Sequence, residues 1–275
     1  MLPIEEVCKM YGFDAFERDY FDYCLDIGAR YGEVATVMAE RNSSAKIVAY
    51  EPCTANYQKL VDNLGSNPRV TCTNMALGDG ADLYYVEMPY DDMHMFVPLE
   101  QTQDLDDAIE PLITKLAVIP GNELVDAHAA RIQARQTLGA AQLEPAGEPA
   151  EPAEPTEPAD TPATYTVHSI RIADIFVADV IDQSKRIQVV INSEGGEWSL
   201  VNDPGAVVLK SCTAMAVQVH FKPALSWRNE RFANMPEWSV FNQWVYDTFA
   251  PTHSIKYWCS CKYNGTGIYL INKLS

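Results

Sequence analysis

Short apolar runs alternate with amphipathic stretches along the first part of the chain. Residues 23–27 (YCLDI) and 46–50 (KIVAY) are continuous apolar segments that predict strands. Between and after them, residues 32–41 and 54–64 carry helical spacing, with Thr54 as the expected N-cap of the second helix. Residues 69–76 (RVTCTNMA) predict a third strand, stopped by Leu77-Gly78-Asp79-Gly80. Strand, helix, strand, helix, strand, with strands apolar throughout, implies a parallel sheet covered on both faces.

The pattern resumes near the C-terminus. A helix is expected over 172–181, apolar strands over 186–191 (RIQVVI) and 216–221 (AVQVHF), and an aromatic-rich helix over 237–249. Residues 254–263 and 267–274 read as two strands around Asn264-Gly265, a strong hairpin signal. Between these halves, 104–143 has helix-forming composition broken near Pro120-Gly121, and 144–164 repeats Glu-Pro-Ala. Proline at every third position forbids a helix, so this stretch is expected to be an extended tether. Residues 1–100 and 165–275 are thus expected to form one α/β domain, interrupted by an insertion over 101–164 that offers a route to a protein partner.

Charge narrows the function. The formal net charge is −18, and no Lys/Arg cluster interrupts it, so nucleic acid is not expected as a partner. Seven cysteines, odd in number and irregularly spaced, suit a reducing compartment better than a disulfide framework. The opening MLPIEEVCKM lacks a basic n-region and a long apolar core, and no apolar run approaches the roughly 20 residues of a membrane span. A soluble, cytoplasmic protein without membrane association is expected.

Candidate chemistry gathers at predicted strand ends, where doubly wound sheets bind their ligands. The first strand runs into Asp26-Ile27-Gly28-Ala29-Arg30-Tyr31-Gly32, whose glycines permit a tight turn, with a helix N-terminus following that could lend its amides. The second strand ends in Glu51, a carboxylate able to accept hydrogen bonds from both hydroxyls of an adenosine ribose. A nicotinamide-dependent oxidoreductase would read Gly-x-Gly-x-x-Gly, whereas here the second glycine falls four residues after the first. His94 and Glu194 are candidates for removing a proton from an acceptor, and Glu197 and His220 stand near the same strand ends. Asp91, Asp92 and His94 fit no metal-ligand spacing, and no metal site is expected. For His220, capping a buried strand is the simpler expectation.

CLDIGARYGEVATVMA (24–39), IVAYEPCTANYQKLVDNL (47–64), Ala76-Leu77-Gly78-Asp79 and VVINSEGGEW (189–198) together resemble the FkbM family of S-adenosylmethionine-dependent methyltransferases. The resemblance covers roughly 20–80 and 165–221. It implies a class I methyltransferase (Rossmann-like) fold: a mostly parallel doubly wound sheet with an antiparallel C-terminal hairpin. It also implies S-adenosylmethionine as cofactor, with Asp26, Gly28 and Gly32 at its methionine part, Glu51 at the ribose and Asp79 near the adenine. Asn192 stands at a further cofactor-binding position, and Glu194 is the first candidate for substrate or cofactor contact. The acceptor implied is a hydroxyl on a small molecule, sugar or glycan. Two positions depart from the family pattern: Val190 replaces a usual lysine and Asn192 a usual aspartate. Asn192 can donate and accept hydrogen bonds but cannot act as a base. The alternative expectation is therefore a methyltransferase fold that has lost turnover and serves as a scaffold, reaching a partner through 101–164.

Overall fold

The computed structural model describes residues 4–87, 94–98, 164–220, 238–261 and 266–274. Within these, the side chains of 83–87, 94–98, 164–165, 238, 258–261 and 266 are not described. Most of the insertion predicted over 101–164 lies outside the described residues.

A seven-stranded sheet forms the centre, in the order β10-β11-β9-β8-β1-β2-β3. Its strands are β1 (Tyr23–Ile27), β2 (Lys46–Tyr50), β3 (Val70–Thr73), β8 (Ile187–Ile191), β9 (Ala214–His220), β10 (His253–Cys261) and β11 (Thr266–Lys273). The chain steps outward from β1 through β2 to β3, then returns to the other side of β1 as β8 and continues to β9. All pairs among these five are parallel, while β11 runs antiparallel to both β9 and β10. This is the doubly wound sheet with a terminal antiparallel hairpin that the apolar pattern predicts. Strand order reverses between β1 and β8, which makes their carboxyl ends the topological switch point.

Both faces are covered because successive side chains point to opposite sides. Leu25, Ile27, Val48, Tyr50, Val189, Ile191, Met215 and Val217 pack on one face with α4 (Ile172–Ala178) and α5 (Trp238–Phe249). Cys24, Ile47, Ala49, Val190, Ala214 and Ala216 pack on the other with α1 (Ile4–Met10), α2 (Glu33–Arg41) and α3 (Thr54–Leu64). Small residues dominate the second face near β9, which leaves room for Tyr11 and Phe13 from the N-terminal segment; both are buried.

Three expectations are corrected. The predicted strand 69–76 is two strands: β3, and β4 (Ala76–Leu77) in a separate sheet of order β4-β7-β5-β6. That second sheet is completed by β5 (Asp82–Glu87), β6 (His94–Pro98) and β7 (Thr164–Ile170), none of which the apolar pattern marked. It is built on antiparallel pairing of β5 with both β6 and β7, of which the β5–β7 pair joins segments on either side of the insertion. Lastly, Thr54 is the first residue of α3 rather than its cap; Cys53 holds the cap position, and its amide donates to Glu51 Oε1 at 2.9 Å.

The switch point is closed tightly. Asn192 N donates to Ile27 O at 2.8 Å, extending the β1–β8 ladder past the strand ends. A Cβ on Gly28 would overlap the carbonyl oxygen of Asn192, and Gly28 also has φ +89°. Gly80 has a comparable φ of +94°, but the nearest atom to its added Cβ is Arg171 Cγ at 3.9 Å. Alanine at Gly80 should therefore lose only the backbone preference, about 1–2 kcal/mol. Alanine at Gly28 must also force the strands apart and should cost more than about 3 kcal/mol. Urea unfolding of the two variants measures the difference; equal losses would contradict the close approach.

Candidate functional site

The β1–α2 loop is held by its own backbone. Gly28 N and Ala29 N both donate to Tyr50 O at 2.9 Å, Gly32 N donates to Ala29 O at 2.7 Å, and Arg30 N donates to Glu51 Oε2 at 2.8 Å. Arg30 has φ +52° and Gly32 φ +91°. The left-handed glycine lets the loop enter α2, and its Cα packs so close to α3 that an added Cβ would lie 2.7 Å from Leu64 Cδ1. The loop amides of Gly28, Ala29, Arg30 and Gly32 are thus engaged within the protein.

Carboxylates line the strand ends instead. Asp26 is buried at the end of β1, where its Oδ2 accepts from Ala35 N at 2.8 Å in the first turn of α2. Burial is the main cause that pushes its pKa up to about 7, offset in part by the Ala35 hydrogen bond and reinforced by the charges of Glu33 and Glu51. Glu51 is buried at the end of β2 and ties the β1 loop to the start of α3 through Arg30 N and Cys53 N. Each carboxylate oxygen has a second lone pair, so ribose hydroxyls could still be accepted there. Asn192 closes the site from β8. Its Nδ2 donates to Tyr11 Oη at 3.5 Å, whereas its buried Oδ1 lacks a hydrogen-bond partner. A buried acceptor left unsatisfied is costly, and here it faces the switch point.

Tyr11 was not marked by the sequence. It reaches the site from beyond α1, is buried, and its hydroxyl pKa is raised, first by burial and then by Asp26 and by Glu194. Both carboxylates therefore lie near the same phenol. No motif announces a tyrosine placed 15 residues before Asp26; only the packing of the N-terminal segment on the sheet brings it there. Val190, which replaces a lysine in the family pattern, is buried among Ala214, Ala216 and Tyr11. Its register partner on β1 is Asp26, so the buried carboxyl on that face has an apolar side chain beside it where the family pattern has a cation.

The turn after β8 brings together three titratable groups. Glu197 has no exposed surface; Oε1 accepts His220 N and contacts His220 Nδ1, each at 2.8 Å. Its Oε2 accepts Gly195 N at 2.9 Å and Ser193 Oγ at 3.1 Å. The other side of the ring, His220 Nε2, lies 3.3 Å from Glu194 Oε1. Burial alone would lower the His220 pKa, but Glu194 and then Glu197 outweigh it and raise it to about 10. His220 is the buried last residue of β9, a histidine capping a strand as the sequence suggested, and the two carboxylates on its ring favour the imidazolium form. Glu194 and Glu197 flank that ring, and Gly196–Trp198 forms a 3-10 turn that runs into the short helix Ser199–Asn202.

Other predicted positions stand apart. Asp79 is exposed, and its Oδ1 accepts Ala81 N at 2.9 Å within its own turn. Its loop is nevertheless close to the site: an added Cβ on Gly196 would lie 2.6 Å from Leu77 O. The backbone of His94 lies on β6 opposite Glu87, and its side chain is outside the described residues. Among the described residues, no group of three His, Cys, Asp or Glu side chains could hold a metal ion. Likewise, no helix of the described residues is long and apolar enough to cross a membrane.

No protein-family model matches the sequence, and no curated protein matches it. Among solved structures, the chain is similar to the methyltransferase FkbM from Methylobacillus flagellatus at 12% identity and a TM-score of 0.47, covering 96% of this chain and 47% of that one. It is similar to a precorrin-6y C5,15-methyltransferase from Geobacter metallireducens at 10% identity and a TM-score of 0.42, covering 98% and 87%. A SAM-dependent O-methyltransferase from Thermotoga maritima aligns at 9% identity and a TM-score of 0.41, covering 100% and 67%. This chain spans about half the length of the FkbM structure. At such identities and scores the fold rests on this chain's own strand order.

Asp26 supplies a test of the site's electrostatics. Its folded pKa, about 7, lies above the ordinary 3.8, so between those values the folded state binds the proton more readily than the unfolded one. Raising the pH through this window ionises a buried carboxyl and removes stability. Asp26→Asn keeps an acceptor for Ala35 N and does not titrate. The unfolding free energy of the variant relative to the native chain should grow by about 2–3 kcal/mol between pH 5 and pH 8. A gap that stays constant across that range would refute the raised pKa.

Proposed function

We propose that this chain is an S-adenosylmethionine-dependent methyltransferase acting on a hydroxyl of a small molecule, sugar or glycan. The observation that carries this reading is the chemistry of the switch point: it presents acceptors where a dinucleotide site would present donors. Gly28, Ala29 and Arg30 amides are engaged internally, while Asp26, Glu51, Glu194 and the partnerless Oδ1 of Asn192 surround the strand ends. A pyrophosphate would meet carboxylates there and be repelled. A ligand with a positive charge, an ammonium group and ribose hydroxyls suits the same surroundings.

S-adenosylmethionine supplies an activated methyl group on a sulfonium, so the protein's task is chiefly positioning and proton removal. In this reading Asp26, Gly28 and Gly32 shape the methionine end, and Asn192 Oδ1 accepts from a cofactor donor. Glu51 holds the ribose, with Asp79 toward the adenine. Glu194 and His94 stand on the acceptor side. The segment 101–164 is left for a protein partner, which the chemistry of the crevice does not require. Neither nucleic acid nor a membrane enters this reading, and the compartment proposed with it is the cytoplasm.

Calorimetric titration with S-adenosylmethionine and S-adenosylhomocysteine tests the reading. Micromolar binding is expected for the native chain. Glu51→Ala should weaken it at least tenfold. Because Glu51 also holds Arg30 N and Cys53 N, a thermal melt must accompany the variant, and Glu51→Gln should retain fold with intermediate affinity. No heat with either ligand would remove the enzyme reading and leave a methyltransferase-like fold retained for assembly.

A further inference from the structure

We propose that Glu197 and His220 are positioning residues that hold the Glu194 carboxylate on the acceptor side of the crevice, where Glu194 takes the hydroxyl proton during methyl transfer. The inference rests on the methyltransferase reading above and assigns the proton-removing apparatus within it.

The geometry is directional. Glu197 is enclosed, and four contacts fix its two oxygens: Gly195 N and Ser193 Oγ on Oε2, His220 N and Nδ1 on Oε1. With Nδ1 so held, the imidazole can turn neither nitrogen elsewhere, and Nε2 lies 3.3 Å from Glu194 Oε1. Exposure rises along the series: the side chains of Glu197, His220 and Glu194 are 0%, 3% and 28% exposed. Only the last can meet an acceptor. Glu194 also holds φ +49°, followed by Gly195 at +111°. A non-glycine residue in that region is strained, and such strain persists where the surroundings over-determine a side chain's direction.

Two carboxylates share one cation. Glu194 and Glu197 face His220 from the turn after β8, Trp198 Nε1 donates to the His220 carbonyl at 2.8 Å, and Thr266 of β11 is its register partner. With its pKa near 10, His220 remains protonated at neutral pH and is not itself the proton acceptor. Before transfer the three groups carry a net charge of minus one. As the new O–CH3 bond forms, the S–CH3 bond breaks and its electron pair returns to sulfur. The hydroxyl proton passes to a Glu194 oxygen, leaving the neutral Glu197–His220 ion pair behind. The proton then leaves to solvent from the exposed edge of Glu194. Glu197 and His220 thus act through Glu194 and touch no substrate.

The test needs no known acceptor. Long-range 1H–15N spectra of the full chain, with His220 assigned by its loss in His220→Gln, report both ring nitrogens. The free protein should show an imidazolium at pH 8. Saturating S-adenosylmethionine should move the Nε2 resonance, which faces Glu194, more than Nδ1. S-adenosylhomocysteine, without the positive charge and the methyl, should move it less. Glu194→Gln, a change at a part-exposed side chain, should lower the His220 titration midpoint by about one pH unit or more and abolish the difference between the two ligands. If S-adenosylmethionine binds by calorimetry and both nitrogens stay unmoved, or if Glu194→Gln leaves the ligand response intact, the positioning role is overturned. Failure of both ligands to bind is read separately by calorimetry; it overturns the methyltransferase reading and this role with it, even if His220 titrates near pH 10.

Discussion

Strands β1 and β8 lie side by side so closely that Gly28 has no space for a β-carbon against the carbonyl of Asn192. This approach joins the two halves of the chain, which the insertion separates in sequence, into one continuous sheet. It also sets the strand ends level, so that Asp26 of β1 and Asn192 and Glu194 of the turn after β8 stand at the switch point. Loss of that contact would separate the two β-α-β halves and, with them, every candidate ligand-binding group.

Carboxylates that hold the fold together here are the same ones that define the site. Asp26 accepts an amide from the first turn of α2, and Glu51 fastens the β1 loop to the start of α3. Glu197 ties the turn after β8 to the end of β9. Each offers its charge to backbone donors, a strong kind of hydrogen bond, and each sits beside the crevice. The result is a cluster of largely buried acceptors at the strand ends with one histidine, His220, among them. Such a cluster opposes phosphate, in keeping with the chain's strongly acidic composition.

His220 and Val190 show how surroundings change the meaning of a residue. In the sequence, Val190 reads as a lost cation; in the fold it is an apolar side chain buried among Ala214 and Ala216 and beside its register partner Asp26, whose carboxyl therefore gains no cation from β8. His220, by contrast, reads as an ordinary end to an apolar strand. Its charge is established only because a turn 23 residues earlier presents Glu197 to one nitrogen and Glu194 to the other. The cation absent from β8 is thus accompanied by one on β9, on the same side of the switch point.

The alternation of apolar runs and helical stretches by itself determined the central sheet, its parallel direction and the antiparallel hairpin, because burial on both faces leaves few other uses for such strands. Asp26, Gly28, Gly32 and Glu51 were legible for the same reason: local turn chemistry and strand-end position are written in contiguous residues. The second sheet was not, since β5 finds its partner β7 only across the insertion, a pairing that no local run announces. Nor could sequence place Tyr11 beside Asn192 or set two glutamates on the nitrogens of one histidine. Those contacts join residues 181 and 23 to 26 positions apart, and distances of that kind are decided only when the sheet brings separate strand ends into register.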